Sequence, residues 1–121
     1  MTEPSAIDWS AIPVEHPLDG ITRQTVHGDK QTIVRYIYQP GSVFPVHSHP
    51  EEQVTVILGG SIDFTVAGSP LTLSAGQVAL IPANVPHGAS VTGSEVVETL
   101  NTMAPRRSSA PMSRVTDEEA Q

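Results

Sequence analysis

The chain has 121 residues, no cysteine and a formal net charge of −7. The length suits one domain with its own core. The lack of cysteine excludes disulfides, thiolate metal sites and cysteine nucleophiles, and the negative charge argues against binding to nucleic acid or an anionic membrane. No segment approaches the length of a membrane span and the N-terminus has no signal-peptide pattern, so we expect a cytoplasmic protein.

Eleven prolines and nine glycines divide the chain into short segments, as expected of an all-β protein with many turns. Residues 1–20 are polar and mixed, and we expect an N-terminal arm in which Trp9 packs against the body. His16 and His27 lie in or beside turns, where surface positions are expected. Nine strands are then predicted from alternating or β-branched sequence, at residues 21–26, 32–38, 43–49, 54–58, 61–66, 71–73, 78–81, 88–91 and 95–103.

Short strands separated by turns, with no helical periodicity, predict a β-sandwich or jelly-roll barrel. The barrel is expected to span residues 21–107, because the sequence beyond becomes a polar tail at residues 108–121. The strand at residues 54–58 is apolar on both faces apart from Thr55, which predicts cover on both sides. Together with the sheet edges that a small barrel must protect, this predicts a homodimer.

Three histidines and one glutamine form the most informative pattern of the sequence. His47 and His49 are two residues apart in a predicted strand, so their side chains are expected on one face. Gln53 opens the next strand, and His87 begins a later strand that a jelly roll can bring to the same place. Three imidazoles and an amide oxygen suit a divalent zinc, nickel, iron, copper or manganese ion, with positions left for water or a small-molecule substrate.

The spacing of these residues resembles that of the cupin family of metal-binding jelly rolls. The matching residues are Gly41, His47, His49 and Gly59 in the first family motif and Gly76, Pro82 and His87 in the second. Gln53 stands where a glutamate is usual, Asn84 replaces a glycine and can adopt the same left-handed backbone, and Val91 replaces an asparagine. The resemblance implies an all-β double-stranded β-helix that binds one divalent metal ion at His47, His49, Gln53 and His87.

A closer resemblance is to the small cupins that linearise 4,5-unsaturated uronates. Those proteins have a third histidine where this chain has Glu51, and an acidic residue where it has Asn101. They also have an arginine that aligns with Arg107, a residue suited to binding a substrate carboxylate. Because proton transfer needs a titratable group, Asn101 argues against the uronate reaction itself.

The candidate catalytic residues are Arg107, Asn101 and Glu98, on or just after the last predicted strand, and Arg35, on an early strand. Glu51 and Glu52 are interpreted as a solvated turn. The resemblance implies an isomerase, cyclase or lyase acting on a small oxygen-rich substrate, such as a sugar acid or polyketide. Three alternatives remain open: a metal-dependent dioxygenase, a non-catalytic ligand-binding protein, and a structural dimer stabilised by its metal.

Overall fold

The computed structural model describes residues 3–107, and the predicted polar tail lies outside the described residues. After a short 3-10 helix at Trp9–Ala11, the chain forms ten strands: β1 (Glu15–Leu18), β2 (Ile21–His27), β3 (Thr32–Tyr38), β4 (Val43–His47), β5 (Glu52–Gly59), β6 (Ser61–Val66), β7 (Ser69–Ser74), β8 (Val78–Ile81), β9 (His87–Ser90) and β10 (Val97–Ala104). None of the helices in the described residues is long and apolar enough to cross a membrane.

The strands form two antiparallel sheets that enclose one core. One sheet has six strands in the order β1-β2-β3-β10-β5-β8, and the other has four in the order β4-β9-β6-β7. Alternate residues of each strand point between the sheets, as on β3, where every second residue is buried. The buried apolar side chains include Ile21, Val34, Ile57, Ile62, Phe64, Ile81, Val97 and Met103. The predicted all-β jelly roll is confirmed.

The N-terminal segment is more ordered than an arm. Strand β1 pairs with β2 and forms one edge of the six-stranded sheet. Before it, the chain folds over the outer face of β2, where the Gln24 side-chain amide donates to the carbonyl oxygens of Trp9 and Ile12 at 2.7 and 2.9 Å. His16 and His27 are exposed, in agreement with the sequence analysis.

Two strand predictions near the histidines differ from the structure. Strand β4 ends at His47, so His49 lies in the following turn and does not share a strand face with His47. Strand β5 is covered on its inner face, whereas Val56 on its outer face is only half-buried and Leu58 is 47% exposed. The expectation of cover on both sides is therefore not met within one chain.

Candidate metal centre

The three predicted histidines meet at one end of the barrel. His47 is the last residue of β4, His87 is the first residue of β9, and the two are paired across the four-stranded sheet. His49 approaches from the turn after β4. One ring nitrogen of each lies within 4.8 Å of the others, and all three side chains are buried. The structure thus gathers residues that are 40 positions apart in the sequence into one cluster.

Gly88 allows this approach of β9 to β4. A methyl group at Gly88 would lie only 3.0 Å from the carbonyl oxygen of Phe44 and 3.1 Å from the amide nitrogen of Val46. The β4–β9 ladder is irregular between Phe44 and His47, next to this contact. Glycine at position 88 therefore lets the two strands pack closely enough to set His87 beside His47.

Asn84 connects the second motif to the first. Its backbone is left-handed, with φ of 65°, which confirms that asparagine replaces a family glycine at a position requiring that conformation. Its amide nitrogen donates to the carbonyl oxygen of His49 at 2.8 Å. The turn between β8 and β9 consequently holds the turn that carries His49.

In each of the three cluster histidines, Nδ1 is hydrogen-bonded to a nearby backbone carbonyl. Nδ1 lies 2.8 Å from the oxygen of Pro45 for His47, 3.0 Å from that of Glu51 for His49, and 2.9 Å from that of Val85 for His87. A carbonyl only accepts, so each Nδ1 carries the proton and each Nε2 presents a lone pair. This pattern orients metal-binding histidines in other proteins.

Burial keeps two of these imidazoles neutral. It lowers the pKa of His47 to about 3, an effect that the Pro45 hydrogen bond opposes and the nearby His87, His49 and Arg107 reinforce. It also lowers the pKa of His87 to about 4, against the hydrogen bond to Val85. Neutral imidazole is the form that binds metals, so proton release is not a cost of binding at neutral pH.

Gln53 adds a fourth acceptor to the cluster. Its Oε1 atom lies 3.0 Å from Nε2 of His49, while its Nε2 atom donates to Thr55 and Asn101. Since the His49 proton is on Nδ1, the Gln53 oxygen and the His49 nitrogen are two acceptors facing each other. The buried Nε2 of His87 has no hydrogen-bond partner in the described structure. Converging lone pairs without a donor are the chemistry of a cation site, and these residues fit a divalent transition metal.

Glu51 differs from the predicted solvated turn residue, whereas its neighbour Glu52 is exposed. The Glu51 carboxylate is buried, with Oε1 3.4 Å from Nε of Arg107 and 3.5 Å from Nδ1 of His49. It lies on the Nδ1 side of His49, away from the Nε2 atom that faces Gln53. Sequence reasoning missed this pair because Arg107 reaches Glu51 from a distant part of the chain.

The candidate catalytic residues separate into two groups. Arg107 and Asn101 lie at the cluster, Arg107 beside Glu51 and Asn101 beneath Gln53. Arg35 and Glu98 lie on the opposite face of the six-stranded sheet, where they form an ion pair at 2.7 Å. A second guanidinium nitrogen of Arg35 donates to Gln24. These two residues therefore stabilise the outer face and do not border the histidines.

A small cavity of about 20 Å³ adjoins the cluster, enough for about one water molecule. Its walls are mostly aromatic and apolar, formed by Tyr36, Tyr38, Phe44, His47, Gln53, Phe64, His87, Gly88, Ala89 and Met103. Among them, the Tyr36 hydroxyl is buried without a hydrogen-bond partner. Burial raises the pKa of Tyr36 against the opposing effect of Arg23, so the hydroxyl keeps its proton.

Comparison with known proteins places this centre in a family. Residues 34–103 match the model of the Cupin domain, Cupin_2. The chain is 33% identical over 98 residues to H2HPP isomerase of Bacillus subtilis, a match covering 78% of this chain but only 37% of the isomerase. It therefore spans little more than a third of that relative.

Two solved structures share the architecture. KdgF from Halomonas sp. superimposes with a TM-score of 0.78 at 21% identity, covering 87% of this chain and 96% of that one. The polyketide cyclase RemF from Streptomyces resistomycificus gives 0.77 at 17% identity, covering 98% and 90%. These two likenesses bear on the fold alone. Because the domain match extends over more than half of the sequence, the chain belongs to the cupin family.

Proposed function

We propose that this cupin binds one divalent transition metal ion, zinc, nickel, manganese or iron, through His47, His49, His87 and Gln53. The observation that carries the proposal is the convergence of Nε2 lone pairs and the Gln53 oxygen, with no donor between His49 and Gln53. All four groups are neutral, so the positive charge of a bound ion is not offset by the protein ligands. Such an ion would supply Lewis-acid polarisation of a substrate oxygen.

The reaction we propose is that of an isomerase, cyclase or lyase on a small oxygen-rich substrate. Support comes from a relative named as an isomerase. The structural neighbour named as a polyketide cyclase adds only that the same fold is found in a protein named for such a reaction. The resemblance to uronate-linearising cupins adds sugar acids to the substrate classes. A dioxygenase is not favoured by these similarities and remains the alternative chemistry for the same metal site.

Two side chains of this chain are suited to bind such a substrate. Arg107 is near enough to raise the positive potential at His47, and its planar guanidinium suits a substrate carboxylate. Tyr36 lines the cavity and keeps its proton, so its hydroxyl can donate to a substrate carbonyl or hydroxyl oxygen. The aromatic walls would exclude water around the carbon skeleton.

One observation favours a second function, that of a non-catalytic binding protein. Within residues 3–107, no carboxylate lines the cavity, because Glu51 lies behind His49 and position 101 carries an amide. The side chains at the cavity can hold a ligand, yet they include no ordinary carboxylate base. Binding of a sugar acid or polyketide without any change in its structure over hours would favour this function over the enzyme.

The metal site is tested by elemental analysis of the purified protein. We expect about one equivalent of metal in the wild type, a loss of most of it in His87→Ala, and no change in the matched control His16→Ala, which removes an exposed histidine. Full metal content in His87→Ala would refute the site. Turnover is then assayed with unsaturated uronates and hydroxylated polyketides, comparing the wild type with Tyr36→Phe and Arg107→Gln.

We also propose that two copies of this chain associate. Strand β8 is an open edge of the six-stranded sheet, and Leu80 on its outer face is 73% exposed, with Val78 and Leu58 about half exposed nearby. Natural proteins usually cover an apolar edge of this kind. Light scattering at micromolar concentration is expected to give the mass of a dimer, and Leu80→Lys is expected to give a monomer; a monomeric wild type would refute the association.

A further inference from the structure

A buried polar cluster surrounds the side-chain amide of Gln53. It contains Gln53, Thr55, Thr99 and Asn101, of which Thr55 and Thr99 are fully buried and Asn101 is 1% exposed. Asn101 lies on β10 between Thr55 of β5 and Val34 of β3, so it touches both neighbouring strands. A polar group is costly in such a place unless its hydrogen bonds are made, and Asn101 makes all of those that its two side-chain atoms require.

The direction of the hydrogen bonds around Asn101 follows from one backbone group. The carbonyl of Val34 can only accept, so the Asn101 atom 3.1 Å away must be the Nδ2 donor. Nδ2 also donates to the Thr99 hydroxyl at 2.9 Å. The Oδ1 atom is then left facing Thr55, from whose hydroxyl it accepts at 2.7 Å, and Gln53, from whose amide it accepts at 3.2 Å.

Asn101 in turn determines which end of the Gln53 amide faces the histidines. Because Asn101 presents an acceptor, Gln53 must direct its Nε2 donor toward Asn101. The Gln53 oxygen is thereby turned toward Nε2 of His49, at 3.0 Å. If the Gln53 amide rotated by half a turn, its oxygen would face the Asn101 oxygen, and an NH₂ group without a free lone pair would face the histidines.

We propose that Asn101 is a positioning residue that fixes the amide of Gln53 with its oxygen toward the histidine cluster. The Val34 carbonyl fixes the orientation of the Asn101 amide, and the Asn101 oxygen then fixes the orientation of the Gln53 amide. This inference rests on the proposed metal site, which needs an oxygen at this position. It also gives both ends of the amide at position 101 a role: Nδ2 is held by the Val34 carbonyl, and Oδ1 selects between the two chemically different ends of Gln53.

A carboxylate at position 53 would remove the need for this selection. The two oxygens of a glutamate are equivalent, so either rotation presents a ligand to the cluster. The effect of losing Asn101 on metal binding should therefore depend on whether residue 53 is glutamine or glutamate. A double-mutant cycle measures that dependence directly.

The experiment compares Zn²⁺ affinity, by competition titration, for the wild type, Asn101→Leu, Gln53→Glu and the double variant. We expect Asn101→Leu to weaken Zn²⁺ binding by about tenfold or more when residue 53 is glutamine, as for other residues that orient metal ligands. In the Gln53→Glu background the same change is expected to alter the affinity by less than about threefold. The Thr99→Val control removes one hydrogen bond of the cluster, from Asn101 Nδ2 to the Thr99 hydroxyl, but leaves Asn101 bonded to Val34 and facing Gln53, so its affinity should stay within about threefold of wild type.

Asn101→Asp provides a second variant in case Asn101→Leu does not fold. Aspartate keeps the size of the side chain and an oxygen toward Gln53, so the Gln53 orientation and the Zn²⁺ affinity should be retained, although loss of the donor to Val34 lowers thermal stability. Equal losses of affinity from Asn101→Leu in both backgrounds, or a tenfold loss in Asn101→Asp, would overturn the positioning role. A wild type that binds no Zn²⁺ would instead overturn the metal site itself.

Discussion

The burial of neutral histidines predicts that the metal-free protein loses stability in mild acid. The pKa is lowered to about 3 for His47 and about 4 for His87, against about 6.5 in an unfolded chain. Between these values the unfolded chain binds protons that the folded cluster does not. Stability is therefore complete above the unfolded pKa and falls as the pH drops below it, until the folded pKa values are reached.

The loss of unfolding free energy follows from the difference between the folded and unfolded pKa values of the two histidines. Acidification from about pH 7 to about pH 5 protonates both imidazoles in the unfolded chain and neither in the folded cluster. Each imidazole lowers the free energy of unfolding by about 2 kcal/mol, and the two together lower it by roughly 3 to 4 kcal/mol. This is a large share of the stability of a typical domain.

The assay is urea denaturation of chelator-treated protein at several pH values in this range. His27 is replaced by glutamine throughout, because its pKa is also lowered, first by burial and then by Arg106 and Arg107, and it would add to the same trend. His47→Gln is expected to remove about half of the pH dependence. His16→Gln, which removes an exposed histidine outside the cluster, is the matched control.

A free energy of unfolding that stays constant between pH 7 and pH 5 would refute this reasoning, since it would mean that the folded cluster accepts protons as easily as the unfolded chain. A pH dependence that His47→Gln leaves intact would also count against it. Asp8 and Asp63, whose pKa values are lowered by hydrogen bonds from Ser10 and from Thr72 and Thr92, titrate below this pH range and do not add to the trend.

Three further predictions concern the residues that support the cluster. Gly88→Ala forces β9 away from β4 and is expected to cost about 1–3 kcal/mol in urea denaturation and to weaken Zn²⁺ binding; an unchanged affinity would show that the close approach is not needed. Asn84→Ala should cost about 1 kcal/mol and Asn84→Gly almost nothing, because only the left-handed backbone is at stake; equal costs would contradict this. Arg35→Gln and Glu98→Gln should each change stability by less than about 1 kcal/mol and leave Zn²⁺ affinity unaltered, since their side chains are 29% and 36% exposed on the outer face; a loss of Zn²⁺ binding would refute that placement.

The fold and the histidine cluster could be predicted because their signals are local. Turn residues divide the sequence into strands, and the spacing of His47, His49 and His87 among glycines and prolines is specific. The prediction that His47 and His49 share one strand face is nevertheless wrong, because β4 ends at His47. The two rings meet through a turn that Asn84 holds in place, and no period-two pattern contains that information.

The surroundings of the cluster depend on which strands become neighbours. Glu98 and Asn101 are three residues apart on one strand, so alternation places them on opposite faces, but the sequence does not say which face is inside. The burial of Glu51 depends on Arg107, and the hydrogen bond of Gln53 to Asn101 depends on the register of β5 against β10. Such contacts between distant segments become visible only in the folded chain.

The backbone carbonyls that hold the three imidazoles have a consequence for how this protein can change. Each carbonyl belongs to a residue two positions from its own histidine, and a main-chain oxygen is present whatever the side chain. The orientation of the three imidazole rings therefore does not depend on the side chains of the cavity walls, where Tyr38 and Phe64 could be exchanged for other residues. A centre anchored in this way can keep the geometry of its three histidines while the shape and polarity of the adjoining cavity diversify.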